Sequence, residues 1–162
     1  VSWLFVLFAA GVLVFGFVVA FGAPYLPTLR QRTDDALELL DLQPGQTMLE
    51  LGCGDGRVLR AAAQRGIRGV GYELNPVLVL VAKVVNVRYR KLVTVRWANY
   101  WRVSLPPCDG IYVFLLDRYM RRLDEKVTKE ASKPVRLVSF AFEIPDRKPA
   151  RHKNGLFLYR YK

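Results

Sequence analysis

A chain of 162 residues carrying a formal net charge of +11, from 25 Lys and Arg against 14 Asp and Glu, has the length of about one domain. Two cysteines without C-x-x-C spacing and a single histidine exclude a disulfide framework and a cysteine-histidine metal cluster, and they suit a reducing compartment. The basic residues are scattered, with no zinc or helix-turn-helix signature. The charge therefore reads as anionic-lipid or acidic-partner contact, or as a solvated surface with a juxtamembrane bias, ahead of nucleic-acid binding.

The chain opens on an apolar run, residues 1–23, that contains no charge. At about 1.5 Å per residue such a run is long enough to cross a ~30 Å hydrocarbon core. A cleaved signal peptide would want a basic start and a small-residue cleavage site; no basic residue precedes the run and Pro24 follows its end. A buried terminal helix is the other rival. Residues 1–23 are thus expected to be a single-pass anchor. Arg30 and Arg32 behind it put the rest of the chain on the cytoplasmic side, or the matrix-like side in an organelle.

Residues 24–32, with Pro24 and Pro27, form the linker. The globular domain is expected over 33–162. Thr33 followed by Asp34 and Asp35 predicts a helix start, and Pro44-Gly45 its end. Residues 47–51 predict a strand, 57–64 a helix and 69–73 a second strand. Asn75-Pro76 opens a valine-rich helix to about 87. Strands follow over 92–97 and 110–116, a helix over 119–131, a strand over 136–142, and a last, antiparallel strand over 155–161. Strands alternating with helices predict an α/β, doubly wound, mostly parallel sheet of Rossmann type.

The chemistry concentrates at Glu50-Leu51-Gly52-Cys53-Gly54-Asp55-Gly56 and at Glu73-Leu74-Asn75. Strand, glycine loop, helix, strand and acid form the arrangement that holds a nucleotide-like cofactor at the edge of a parallel sheet. Arg57 stands where a dinucleotide G-x-G-x-x-G loop needs its third glycine, and Glu50 precedes the first glycine by two. Together they favour S-adenosylmethionine over NAD or FAD. That cofactor has no phosphate, and no P-loop lysine is present. Glu50 can offset its cationic charge, Glu73 can accept from both ribose hydroxyls, and Asn99 can meet the adenine edge.

These motifs resemble the class I, seven-strand S-adenosylmethionine-dependent methyltransferases. Pro24-Tyr25-Leu26-Pro27-Thr28, LELGCGDGRV, GYELNP and Asn99-Tyr100-Trp101 are most similar to one subgroup. It comprises the membrane-anchored lysine methyltransferases of mitochondria that modify the ADP/ATP carrier and the ATP synthase c-subunit, with their short prokaryotic relatives. The resemblance implies cofactor contacts from Glu50, Gly52, Cys53, Gly54, Asp55, Gly56, Glu73, Leu74, Asn75, Asn99 and Tyr100, with Tyr25 and Thr28 upstream. No metal is expected, given the two cysteines without C-x-x-C spacing. Two departures stand out: Asn99 where the family usually has Asp, and Val77 where it usually has Trp. The Asn/Asp-Pro-Pro-Tyr/Phe motif of adenine and amide-nitrogen methyltransferases is absent, Phe114-Leu115-Leu116-Asp117 standing in its place.

The expected activity is methyl transfer to a lysine of a membrane or membrane-near protein. Tyr25, Tyr100, Trp101 and Phe114 are candidates to line the slot, and no residue is named as general base. A lipid, quinone or small-molecule methyltransferase and a non-catalytic cofactor-binding scaffold are the alternatives.

Overall fold

Short β-branched and aromatic runs separated by glycine turns build one seven-stranded sheet in the computed structural model, which describes residues 2–9, 11–12 and 30–162. The strands are β1 (Thr47–Leu51), β2 (Arg68–Glu73), β3 (Val93–Trp97), β4 (Gly110–Phe114), β5 (Val135–Phe140), β6 (Arg151–Lys153) and β7 (Leu156–Tyr161). Their order is β3-β2-β1-β4-β5-β7-β6. The first five run parallel, and β7 pairs antiparallel with both β5 and β6. Helices α1 (Arg30–Leu40), α2 (Arg57–Gln64), α3 (Pro76–Val85) and α4 (Met120–Glu130) cover the two faces.

Residue alternation along the central strands assigns the two cores. Met48 of β1 faces a cluster with Leu37 and Leu40 of α1, Leu59 and Ala62 of α2, and Val79 and Ala82 of α3. Leu49 and Leu51 face the opposite cluster, with Met120, Leu123 and Val127 of α4. Leu40, Leu49, Leu59 and Leu123 are fully buried; a leucine so placed contributes about 1.5–3 kcal/mol. The doubly wound sheet expected from the sequence is therefore present.

Three local differences have physical causes. The first helix is already helical at Arg30, so Thr33 is a buried interior residue and not its cap. Asp35 makes tertiary contacts instead of serving the helix start. Lys153 Nζ lies 2.9 Å from its Oδ1, and Asn154 Nδ2 donates to its Oδ2 at 2.8 Å. The helix ends before Pro44-Gly45, at Leu40, where Asp41 takes a left-handed φ of 46°. Strand β6 was not expected. Its three residues carry no apolar alternation, and it exists through the hairpin pairing Arg151↔Leu158 to Lys153↔Leu156.

Residues 3–9 and 11–12 are helical, and side chains from Trp3 to Phe8 are exposed. Among the described residues no helix is long and apolar enough to cross a membrane. The transmembrane helix expected over 1–23 is thus not shown, and residues 1, 10 and 13–23 of it lie outside the described residues.

Candidate functional site

The parallel strands end together, and their C-terminal edge gathers the residues singled out by the motifs. Register pairs Glu50 with Gly71 and Leu51 with Tyr72, so β1 and β2 deliver the glycine loop and Glu73 side by side. The loop is fastened to β2 by two backbone bonds, from Gly52 N–H and Cys53 N–H to the Tyr72 carbonyl, each 2.9 Å.

Two glycines are required by close approach. A Cβ on Gly56, whose φ is +74°, would lie 2.6 Å from Asn86 Nδ2 and 3.0 Å from Ala82 Cβ. A Cβ on Gly71 would meet Leu59 Cδ1 at 2.6 Å and Cys53 Sγ at 2.7 Å. Asn86 exploits the first approach: its Nδ2 donates to Gly56 O at 3.1 Å and to Ala82 O at 2.8 Å, tying the loop to the end of α3.

Glu73 is buried and accepts three backbone N–H bonds. Gly54 N–H donates to Oε2 at 2.9 Å, while Leu74 and Asn75 N–H groups donate to Oε1 at 2.8 Å each. Asn75 caps α3 by accepting from Val77 N–H at 2.9 Å and Leu78 N–H at 3.4 Å. Asp55 forms a two-pronged pair with Arg57, whose Nη2 lies 2.7 Å from Oδ2.

Glu50 lies 4% exposed on the α1–α3 face of β1, and its Oε2 has no hydrogen-bond partner among the described residues. Burial drives its pKa well above the usual carboxylate value, with the charges of Asp55 and Glu73 adding to the rise; the Leu59 N–H in the first turn of α2 opposes it. Cys53 is likewise pushed up by burial and then by Glu50 and Glu73, so its thiol is packing and not a nucleophile.

An unpartnered buried carboxylate oxygen beside two further acids is an incomplete electrostatic arrangement. A ligand with a cationic sulfonium and ammonium fits it, because positive charge favours the ionised form of Glu50. A phosphate-bearing dinucleotide would add negative charge to the same place. These residues therefore fit S-adenosylmethionine.

Asn99 stands just past β3, as expected, yet its Oδ1 accepts from Trp101 N–H at 3.0 Å. It shapes the turn that carries Tyr100 and Trp101. Tyr100 is partly buried, and its hydroxyl pKa is raised by burial and then by the charge of Glu73, which brings that side chain into the same neighbourhood. Phe114 ends β4 against Phe140, ring centroids 5.0 Å apart. Tyr25 and Thr28 lie outside the described residues.

Sequence reasoning missed four residues here. Asn86 is the loop clamp described above; the one polar side chain ending a run of valines was its signal. Trp97 donates its indole N–H to Leu74 O at 2.9 Å. Tyr119 lies 6.0 Å from Trp101, and the Arg122 guanidinium sits 4.4 Å over the Trp101 ring. No local pattern brings Trp101, Tyr119 and Arg122 together; the chain does so by returning from β4 into α4.

Comparison with known proteins agrees with this geometry. The family model of the ANTKMT methyltransferase domain matches residues 50–151. The adenine nucleotide translocase lysine N-methyltransferase of Mus musculus is 36% identical over 129 residues, 78% of this chain and 56% of that protein. A protein-lysine N-methyltransferase of Saccharolobus islandicus is 29% identical over 126 residues, 75% of this chain and 78% of that one. The crystal structure of an RNA methyltransferase from Salinibacter ruber in complex with S-adenosyl-L-homocysteine superposes with a TM-score of 0.76 at 29% identity, covering 84% of this chain and 92% of that one. The chain spans little more than half the length of the mouse relative. With its sheet order, its glycine loop and the match over residues 50–151, the chain belongs to the ANTKMT methyltransferase domain family of class I, S-adenosylmethionine-dependent methyltransferases.

Proposed function

We propose that this protein is a lysine N-methyltransferase that uses S-adenosylmethionine and acts on a protein in or beside a membrane. The similarity to the mouse and archaeal lysine methyltransferases, over the segment that carries Glu50, Glu73 and Asn99, supports this reading most directly. Residues 1–23 act as a single-pass anchor, with the domain on the cytoplasmic or matrix-like side; the uncharged run with Arg30 and Arg32 behind it supports that arrangement.

When bound, S-adenosylmethionine supplies an electrophilic sulfonium methyl. The chain supplies position and charge. The Glu73 carboxylate retains lone pairs for ribose hydroxyls, while its three N–H bonds hold it in place. Glu50 holds the cationic amino acid part beneath the loop. The aromatic turn at Tyr100 and Trp101 excludes water from one side. At pH 7 only roughly one in 2,500 exposed lysines is neutral, so the slot must depress the substrate amine's pKa by desolvation. The Arg122 guanidinium over Trp101 works in the same direction, since a neighbouring cation disfavours an ammonium.

The name of the Salinibacter ruber structure, together with the net charge of +11, favours RNA as the second reading. Membranes and RNA from cells lacking the protein, incubated with it and methyl-labelled cofactor, separate the two. Label in methyl-lysine of membrane protein, absent with the Glu73→Ala variant, is expected. Label confined to RNA overturns the lysine reading in favour of the second, and label confined to lipid extracts or small molecules overturns both.

A further inference from the structure

We propose that the outer face of α3 rests on an anionic bilayer surface, as a second membrane contact distinct from residues 1–23. One side of α3 is buried against the sheet core, through Val79 and Ala82. The opposite side is also apolar: Val77, Leu80 and Val84, with Val87 just past the helix and Trp97 at the end of β3, are 59–67% exposed. At 3.6 residues per turn, Val77, Leu80, Val81 and Val84 occupy a stripe about 100° wide. A contiguous apolar surface of this kind marks a binding face.

Charge selects the occupant. Between Glu73 and Asp109 the chain contains no acidic residue, while it contains Lys83, Arg88, Arg90, Lys91, Arg96 and Arg102. Lys83, Arg88, Arg90, Lys91 and Arg96 are all exposed on the segment that carries the stripe. An apolar face on a basic segment matches an interface of acyl chains and anionic headgroups. A second copy would oppose one cationic segment to another. Trp97 suits the bilayer boundary, with its ring exposed and its N–H already satisfied by Leu74 O.

That bond gives the surface a functional consequence. Leu74 lies between Glu73 and Asn75, so lipid contact at Trp97 brings the strand-edge site to the level of the headgroups. Substrates would then be limited to chemistry presented close to the bilayer. The surface follows from exposure and charge, and it stands whether or not residues 1–23 cross the membrane.

The full chain, labelled with an environment-sensitive fluorophore at Leu80→Cys, at Val84→Cys, or at His152→Cys on the far sheet edge as reference, tests this. Cys53 and Cys108 are buried and stay unlabelled in the native fold, and circular dichroism confirms that each variant is folded. On phosphatidylcholine vesicles containing phosphatidylglycerol, labels at 80 and 84 shift to the blue and are quenched by brominated acyl chains, and the label at 152 is not. Neutralising Lys83, Arg88, Arg90 and Lys91 to Gln reduces that quenching. The proposal is overturned if 80 and 84 remain solvent-exposed while the chain is vesicle-bound. Protection without vesicles also overturns it, in favour of coverage by residues 1–29 at monomer mass or by a second copy at dimer mass. Equal quenching on purely neutral vesicles overturns the selection by charge.

Discussion

Gly54 N–H donates to Glu73 Oε2 at 2.9 Å, so the acid at the end of β2 also fixes the glycine loop that follows β1. Binding residue and loop geometry are one unit. Replacing Glu73 by Ala strips three backbone N–H groups of a charged acceptor as well as removing the ribose partner. Hydrogen bonds to charged groups are worth about 1.5–3 kcal/mol each, and about 1.4 kcal/mol is tenfold in affinity. Calorimetry with S-adenosylhomocysteine should therefore show affinity weakened by at least roughly tenfold to a hundredfold, with a lower melting temperature for the ligand-free variant. Unchanged affinity would remove Glu73 from the site.

Glu50 makes the ligand-free protein pH-sensitive. Its folded pKa is raised, first by burial and then by the charges of Asp55 and Glu73. Between an unfolded value of ~4.3 and the folded value, the folded state keeps a proton that the unfolded state has lost. The stability tied to that proton is complete below the unfolded pKa and declines as pH rises through the folded one. Glu50→Gln cannot ionise, so its melting temperature should fall less than that of the parent protein as pH rises through that window. A cationic ligand reverses the preference and expels the proton. Titration with S-adenosylmethionine in two buffers of different ionisation enthalpy should detect proton release, and Glu50→Gln should abolish it.

Much of this arrangement was legible because its signals are local. Gly52, Gly54 and Gly56 with Glu50 and Glu73 announce a strand, a loop and a cofactor, and Asn75-Pro76 announces the start of α3 even though valines fill the helix. The unread parts depend on pairing. Strand β6 is three polar residues, but Asn154-Gly155, with φ values of 53° and 77°, is the two-residue hairpin signal that could have revealed it. Thr33-Asp34-Asp35 looks like a helix cap by composition, and only the packing of Lys153 and Asn154 explains why Asp35 is there. Asn99 was expected just past the third strand as an adenine contact, but its role as the turn's own acceptor from Trp101 N–H could not be read from residue type.

The clamp between loop and helix predicts a non-additive pair. Gly56→Ala introduces a Cβ at 2.6 Å from Asn86 Nδ2 and forces a left-handed φ of +74° on a non-glycine residue. The conformational part alone costs about 1–2 kcal/mol, and the steric part adds to it. Asn86→Ala loses the two bonds to Gly56 O and Ala82 O. In the double variant the nearest clashing atom is gone, so its denaturant midpoint should lie above the sum of the single effects, by an amount of order 1 kcal/mol. Strict additivity would mean that the approach at Gly56 is relieved elsewhere.

Arg122 carries the prediction that bears on catalysis. Its guanidinium lies 4.4 Å over Trp101, whose ring is 4.8 Å from that of Tyr100, and the same charge acts on the Tyr100 hydroxyl. If lysine is methylated beside this wall, the neutral amine is the reacting form, and a fixed cation nearby lowers the pH at which it forms. Arg122→Gln removes the cation while an amide can still lie over the indole. The rising limb of kcat/KM against pH should then move to higher pH, by roughly half a unit or more. The affinity for S-adenosylhomocysteine should be unaltered, because Arg122 belongs to α4 and packs over Trp101, whereas the glycine loop and Glu73 belong to β1 and β2. A rising limb that stays in place, with only KM increased, would make Arg122 a packing residue for Trp101 and leave desolvation alone to lower the substrate pKa.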